Sequence, residues 1–167
     1  MPYCDQRYVV EVTRRQAFVD LFEHEAFVVT IKTGGRVYGA ISQQFSTRYP
    51  KTPLPNLSWG DSAPAVLLPD GKYVIFTALW PDQEQGSEAY PPVKVYSCTA
   101  SAIRQAADAG RDEIALPLIG GSERHNRMPA MGQAIHDALA LLEKRSKEID
   151  VVVALGRSGK SIPTGMV

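Results

Sequence analysis

The chain has 167 residues, 44% of them apolar, with 18 Lys and Arg balanced by 18 Asp and Glu. That length and apolar share suit one compact core, and the neutral balance excludes a global field that would draw the chain onto a nucleic-acid backbone or an anionic membrane. No run reaches the length of a membrane span, and the start MPYCDQRYVV lacks a basic stretch followed by an apolar signal core, so the expectation is a soluble, cytoplasmic protein.

The elements follow in chain order. Arg7 to Val12, RYVVEV, reads as a first strand. Thr13 is a candidate N-cap for a short amphipathic helix through Ala17, Phe18, Leu21 and Phe22, ending near Glu25. Ala26 to Ile31, AFVVTI, is almost continuously apolar, the pattern of a strand buried on both faces, and it runs into Lys32-Thr33-Gly34-Gly35. Val37 to Tyr49 reads as a helix stopped by Pro50. After a Pro- and Ser-containing loop at Lys51 to Ser62, Ala63–Leu68 and Lys72–Leu79 read as a hairpin turned by Pro69-Asp70-Gly71.

Trp80 to Pro92 is a long polar loop, either a binding loop or a surface excursion. The next helix runs from Val93 through Ala107 and closes at Gly110. Ile114 to Ile119 is an apolar run opening into Gly120-Gly121-Ser122, a helix follows from about Ala130 to Ser146, and Asp150–Leu155 is the last strand. The order β-α-β-α-ββ-α-β-α-β predicts a three-layer α/β/α sandwich with a mixed central sheet. One domain is expected over residues 1–155, with a flexible tail at 156–167.

Two strand-glycine-helix junctions stand out, at Lys32 to Gly39 and at Ile119 to Pro129. At the carboxyl end of strands in an open sheet, such junctions share a crevice, where glycines let the backbone approach a phosphate. Gly34, Gly35, Gly39, Gly120, Gly121 and Ser122 are therefore candidate ligand-binding residues, the alternative being that the glycine pairs only turn the chain. Glu123 and His125, at the mouth of the second turn, are candidate general bases, and Lys32 is a candidate to stabilise developing negative charge. The same SERHN stretch also reads as a solvated polar loop. Trp80 and Tyr90 border the long loop, placed either to stack on a base or ribose or to pack in the core.

Other features carry less chemistry. Cys4 and Cys98 lack zinc-type spacing, and His24, His125 and His136 form no HxH or HxxxH pair, so neither metal nor cofactor is expected. Cys98 falls within a predicted helix and reads as a small buried hydrophobe. ALGRSGKS at Ala154 to Ser161 approximates a P-loop, but Ala154 replaces the first glycine and Pro163 leaves no room for the helix that a P-loop needs.

Taken together, GGRVYGAISQQFSTRYP (Gly34 to Pro50), DGKYVIFTAL (Asp70 to Leu79) and AADAGRDEIALPLIGG (ending at Gly121) resemble the macro domain, an ADP-ribose-binding α/β/α module. The similarity is strongest to the branch of terminal ADP-ribose glutamate hydrolases and related ADP-ribose phosphatases. The resemblance implies ADP-ribose or a related nucleotide as ligand, an ADP-ribosylated protein as a partner, and hydrolysis of ADP-ribosyl ester or ADP-ribose phosphate linkages as the reaction. It also marks departures. The family's Asn-Ala-Ala-Asn stretch corresponds here to Thr30-Ile31-Lys32-Thr33, and its adenine-pairing acid has no match at Thr13-Arg14-Arg15. That branch's Lys after the hairpin strand has no counterpart in Trp80-Pro81-Asp82-Gln83, and Glu123 stands for its Asp. These differences keep open a non-catalytic module that senses or sequesters a nucleotide or docks onto a protein, and an α/β domain bound to another phosphorylated metabolite.

Overall fold

The computed structural model describes residues 8–12, 21–81, 91–119 and 128–155. In chain order the elements are β1 (Tyr8–Val12), β2 (Ala26–Lys32), α1 (Gly39–Arg48), β3 (Val66–Leu67), β4 (Tyr73–Trp80), α2 (Pro92–Asp108), β5 (Glu113–Leu116), α3 (Met128–Glu143) and β6 (Asp150–Leu155). The strands form one sheet in the order β1-β6-β5-β2-β4-β3. Every pairing is parallel except β3 with β4. With helices on both faces this is the expected three-layer sandwich with a mixed sheet. The helix expected after Thr13 and the tail at 156–167 lie outside the described residues, except for the end of that helix at Leu21.

Two apolar layers, one on each face, hold the sheet. On one face α1 brings Phe45 down among Phe27, Val29, Ile31, Val74 and Phe76. The Phe45 ring meets Phe76 edge-on at a centroid distance of 5.2 Å and lies 5.0 Å from Tyr49, separations at which aromatic pairs add to plain burial. On the other face α2 and α3 lay Val95, Cys98, Ala102, Ile103, Met131 and Ile135 over Val28, Ile75, Ile114 and Val151. The strand β2 feeds both layers, as its continuous apolar run requires. Burial pushes the Cys98 thiol up to about 11, and its Sγ donates to the Ala78 carbonyl at 3.4 Å. Cys98 is thus the buried small hydrophobe read from the sequence.

Several boundaries differ from the sequence reading, each for a local reason. The first helix begins at Gly39, not Val37, because Tyr38 is extended at φ −153° and ψ 127°. The expected strand Ala63–Leu68 shrinks to Val66–Leu67. Ala63 N–H still donates to Phe76 O at 2.9 Å, but Pro64 has no N–H to continue the ladder. At the hairpin, Gly71 N–H donates to Leu68 O and Leu68 N–H to Lys72 O, while φ is 89° at Gly71, the pattern of a three-residue loop with a glycine bulge. The helix α2 starts at Pro92, a position where its missing N–H costs nothing.

Both α2 and α3 end in the same hydrogen-bonded device. Arg111 N–H reaches Ala106 O and Gly110 N–H reaches Ala107 O, with Gly110 at φ 72°. In α3, Lys147 N–H reaches Leu142 O and Ser146 N–H reaches Glu143 O, with Ser146 in the left-handed region at φ 57°. The helix expected to run to Ser146 therefore stops at Glu143. A side chain in that conformation is strained, so Ser146→Gly is expected to raise stability by up to about 1 kcal/mol, read from urea denaturation.

At the amino ends of the strands, Tyr49 Oη donates to Asp70 Oδ2 at 2.6 Å, and Lys72 N–H donates to Asp70 Oδ1 at 3.1 Å. Burial, with the hydrogen bond to Asp70 next, pushes Tyr49 up to about 12, while that same bond holds Asp70 below its usual range. A raised tyrosine pKa contributes stability that is whole below pH 10 and lost as pH rises toward 12. A depressed carboxylate contributes stability present above about pH 4 and lost on further acidification. The melting-temperature difference between the wild type and Tyr49→Phe should therefore be level between pH 5 and 9 and shrink at both extremes.

Candidate functional site

The connections after the strands decide where a ligand can enter. From β2 the chain passes to α1 on one face, whereas β4 and β5, the two hydrogen-bonded neighbours of β2, lead to α2 and α3 on the other. Adjacent parallel strands whose following helices diverge leave a crevice at their carboxyl ends, the switch point of an open α/β sheet. Here β2 has such a divergence on both sides. The segment that leaves β2 is Lys32-Thr33-Gly34-Gly35, the first of the two glycine turns picked from the sequence.

The turn is tightly closed. Lys32 N–H donates to Arg36 O at 2.9 Å and Arg36 N–H returns to Lys32 O at 3.3 Å. Gly34 and Gly35, with φ of 80° and 73°, make the reversal. A Cβ on Gly35 would lie 2.9 Å from Leu54 O and 3.0 Å from Pro55 O, so the 54–55 backbone itself demands glycine there. Among the described residues, no acceptor meets the N–H groups of Gly34 and Gly35. They stand beside the first turn of α1, whose leading N–H groups have no partners within the helix.

A β-bulge shapes the adjoining wall. Ile31 pairs with Ala78 but Lys32 pairs with Trp80, leaving Leu79 as the extra residue. Leu79 and Trp80, although consecutive, both belong to the layer under α2 and α3. Thr33 N–H then donates to Trp80 O at 2.9 Å, tying the glycine turn to the end of β4. The Tyr38 ring packs on Trp80 at 4.9 Å, and a Cβ on Gly39 would lie 3.4 Å from the indole. Only 7% of Trp80 is exposed, so it backs the wall behind Tyr38 and offers little stacking surface of its own.

Lys32 is half-buried, with Nζ 5.3 Å from the centre of the Tyr38 ring. Tyr38 is fixed in turn by Ser42, whose Oγ accepts from Tyr38 N–H and donates to Tyr38 O, both at 2.8 Å. Sequence reading missed Arg36, Tyr38 and Ser42. The four-residue spacing of Tyr38 and Ser42 is the only trace they leave, and it signals a helix entrance only once that entrance is known. The structure thus brings Lys32, Gly34, Gly35, Gly39 and Trp80 together at the end of β2. Gly120, Gly121, Ser122, Glu123 and His125 lie outside the described residues, as does Tyr90. Pro117 and Ile119 carry the chain from β5 toward them.

An open hollow of about 360 Å³ lined by Arg48, Tyr49, Lys51 and Asp70 occurs at the opposite, amino ends of the strands. It shares no residue with the crevice. Among the described residues, no helix is long and apolar enough to cross a membrane, and no three His, Cys, Asp or Glu side chains are grouped to hold a metal ion.

Solved structures share this fold. The macrodomain of Thermus aquaticus DarG superposes with a TM-score of 0.58 at 19% identity, covering 87% of this chain and 97% of that one. The chain has the macrodomain fold. The macrodomain of Mycobacterium tuberculosis DarG gives 0.59 at 18% identity, over 86% and 97% of the two chains. A Trypanosoma brucei macrodomain solved in complex with ADP-ribose gives 0.59 at 17% identity, over 86% and 63%. No protein-family model matches the sequence, and no curated protein matches it. At these identities the shared property is the macrodomain fold itself.

The glycine turn of this macrodomain fold is open to a direct check. Gly35→Ala would force a side chain into the left-handed region against the Leu54 and Pro55 carbonyls. It is expected to cost about 1–3 kcal/mol of stability in chemical denaturation.

Proposed function

We propose that this chain binds ADP-ribose or a closely related nucleotide in the crevice at the carboxyl end of β2. The observation that carries the reading is the double switch point around β2, which closes on a glycine turn whose N–H groups face no described acceptor. In this reading the ligand's diphosphate would lie between Gly34-Gly35 and the Gly120-Gly121-Ser122 stretch of the sequence, where glycines lack the side chains that would keep backbone N–H groups from phosphate oxygens. Tyr38, backed by Trp80, forms a flat wall for the ribose. The Trypanosoma brucei macrodomain of the same fold, solved with ADP-ribose, supports this choice of ligand.

The reaction we propose is hydrolysis of an ADP-ribosyl ester, releasing ADP-ribose from a modified protein, or of an ADP-ribose phosphate, releasing inorganic phosphate. Glu123 or His125 would draw a proton from the attacking water, and Lys32 would balance the negative charge that develops on oxygen. The second reading is a crevice that binds without turnover. It is favoured by Trp80, which stands buried at the end of β4 beside the place where the glutamate-hydrolase branch carries a lysine.

Calorimetric titration with ADP-ribose, with AMP and ribose 5-phosphate as controls, tests the ligand. Micromolar binding of ADP-ribose is the expected result, and silence toward all three would sink the reading. Given binding, release of ADP-ribose from a modified protein should fall on Glu123→Gln by roughly a hundredfold if Glu123 is the base. Binding with no release by the wild type would establish the non-catalytic reading.

A further inference from the structure

Ser42 is a polar side chain with none of its surface exposed, set fourth in α1 where alanine would make the better helix. Thr47, Ser97 and Thr99, which also lie in helices, each return one hydrogen bond to the carbonyl four residues back. Ser42 does more. Its Oγ donates to Tyr38 O and accepts from Tyr38 N–H, both at 2.8 Å. A single hydroxyl therefore grips both backbone groups of one residue.

That grip is possible because Tyr38 is extended, ahead of the helix rather than in it, and its own side chain makes no cap bond. In a capping box the third residue of a helix reaches back to the N–H of the cap. Here the fourth residue does so and takes the carbonyl as well. Gly39 then reverses the chain at φ 84° against the indole of Trp80. The rotamers open to a side chain depend on its backbone angles, so the hydroxyl that holds Tyr38 extended also restricts its ring. That ring lies 4.9 Å from Trp80 and 5.3 Å from the Lys32 ammonium. Tyr38 is half-buried, so part of it stays open at the end of β2.

We infer that Ser42 is a positioning residue that acts through Tyr38, fixing the ring that holds the ribosyl end of the ligand, so that ADP-ribose is bound more tightly than ADP. This role rests on the reading of the crevice as a nucleotide site, and it names the residue that sets the preference for the ribosyl group. A sugar presents C–H groups on its face and hydroxyls at its rim, and an aromatic ring can cover that face. A ring free to rotate would lose that freedom on binding, which subtracts from affinity. Ser42 removes the loss in advance by holding the backbone from which the ring projects.

The test is a double-mutant cycle, read by calorimetric titration of ADP-ribose and ADP into the full chain and into Ser42→Ala, Tyr38→Ala and the double variant. Thermal melting confirms that each is folded. Ser42→Cys, whose thiol is a weak donor and acceptor, and Tyr38→Leu serve where the alanine variants are not. Ser42→Ala is expected to weaken ADP-ribose by roughly tenfold, to leave ADP within about twofold, and to have no further effect in the Tyr38→Ala background. Unchanged affinity for ADP-ribose, equal weakening of both ligands, or an effect that persists in full in the Tyr38→Ala background would overturn the positioning role and leave the nucleotide site standing. So would a wild type that binds ADP as tightly as ADP-ribose. A wild type that binds neither would overturn both.

Discussion

The crevice exists because Phe45 holds α1 against one face of the sheet while the two neighbouring connections go to the other. Phe45 is fully buried and meets Phe22, Phe27, Tyr49 and Phe76. That contact fixes the side on which the chain leaves β2. Were α1 packed with α2 and α3, the ends of β2, β4 and β5 would be covered alike and no cleft would open between them. The packing of one aromatic residue thus sets the topology on which the candidate site depends.

From that anchor the site is assembled by backbone more than by side chains. The Lys32–Arg36 hydrogen bonds close the turn, Thr33 ties it to Trp80, and Ser42 locks Tyr38 at the helix entrance. Each of these bonds involves groups between the end of β2 and the first turn of α1, or at the end of β4. A crevice wall built this way is held in shape by backbone hydrogen bonds rather than by side-chain packing alone.

Much of this was legible beforehand, and the reasons are particular. The unbroken run AFVVTI could only be a strand covered on both faces, and β2 is one. The glycine pair after Lys32 could only be a tight reversal, and both glycines have positive φ. What escaped was information not carried by periodicity. The bulge opposite Lys32 places Leu79 and Trp80 on one face, and nothing in ALWP distinguishes that from plain alternation. Ser146 occupies a left-handed position without the glycine or asparagine that would have announced it, so the last helix read too long. The partnership of Lys32 with Arg36 needed the closure of the turn to be known, since residues four apart read equally well as neighbours on a helix.

The brevity of β3 has a consequence for the protein as a solute. A sheet with a free edge can recruit a strand from another molecule, and Val66 and Leu67 are exposed at this one. The strand itself is only two residues long, and Pro64 and Pro69 stand on either side. A foreign strand would find too few consecutive donors to extend the sheet. The same proline that broke the expected strand thus leaves this edge a poor template for a further strand.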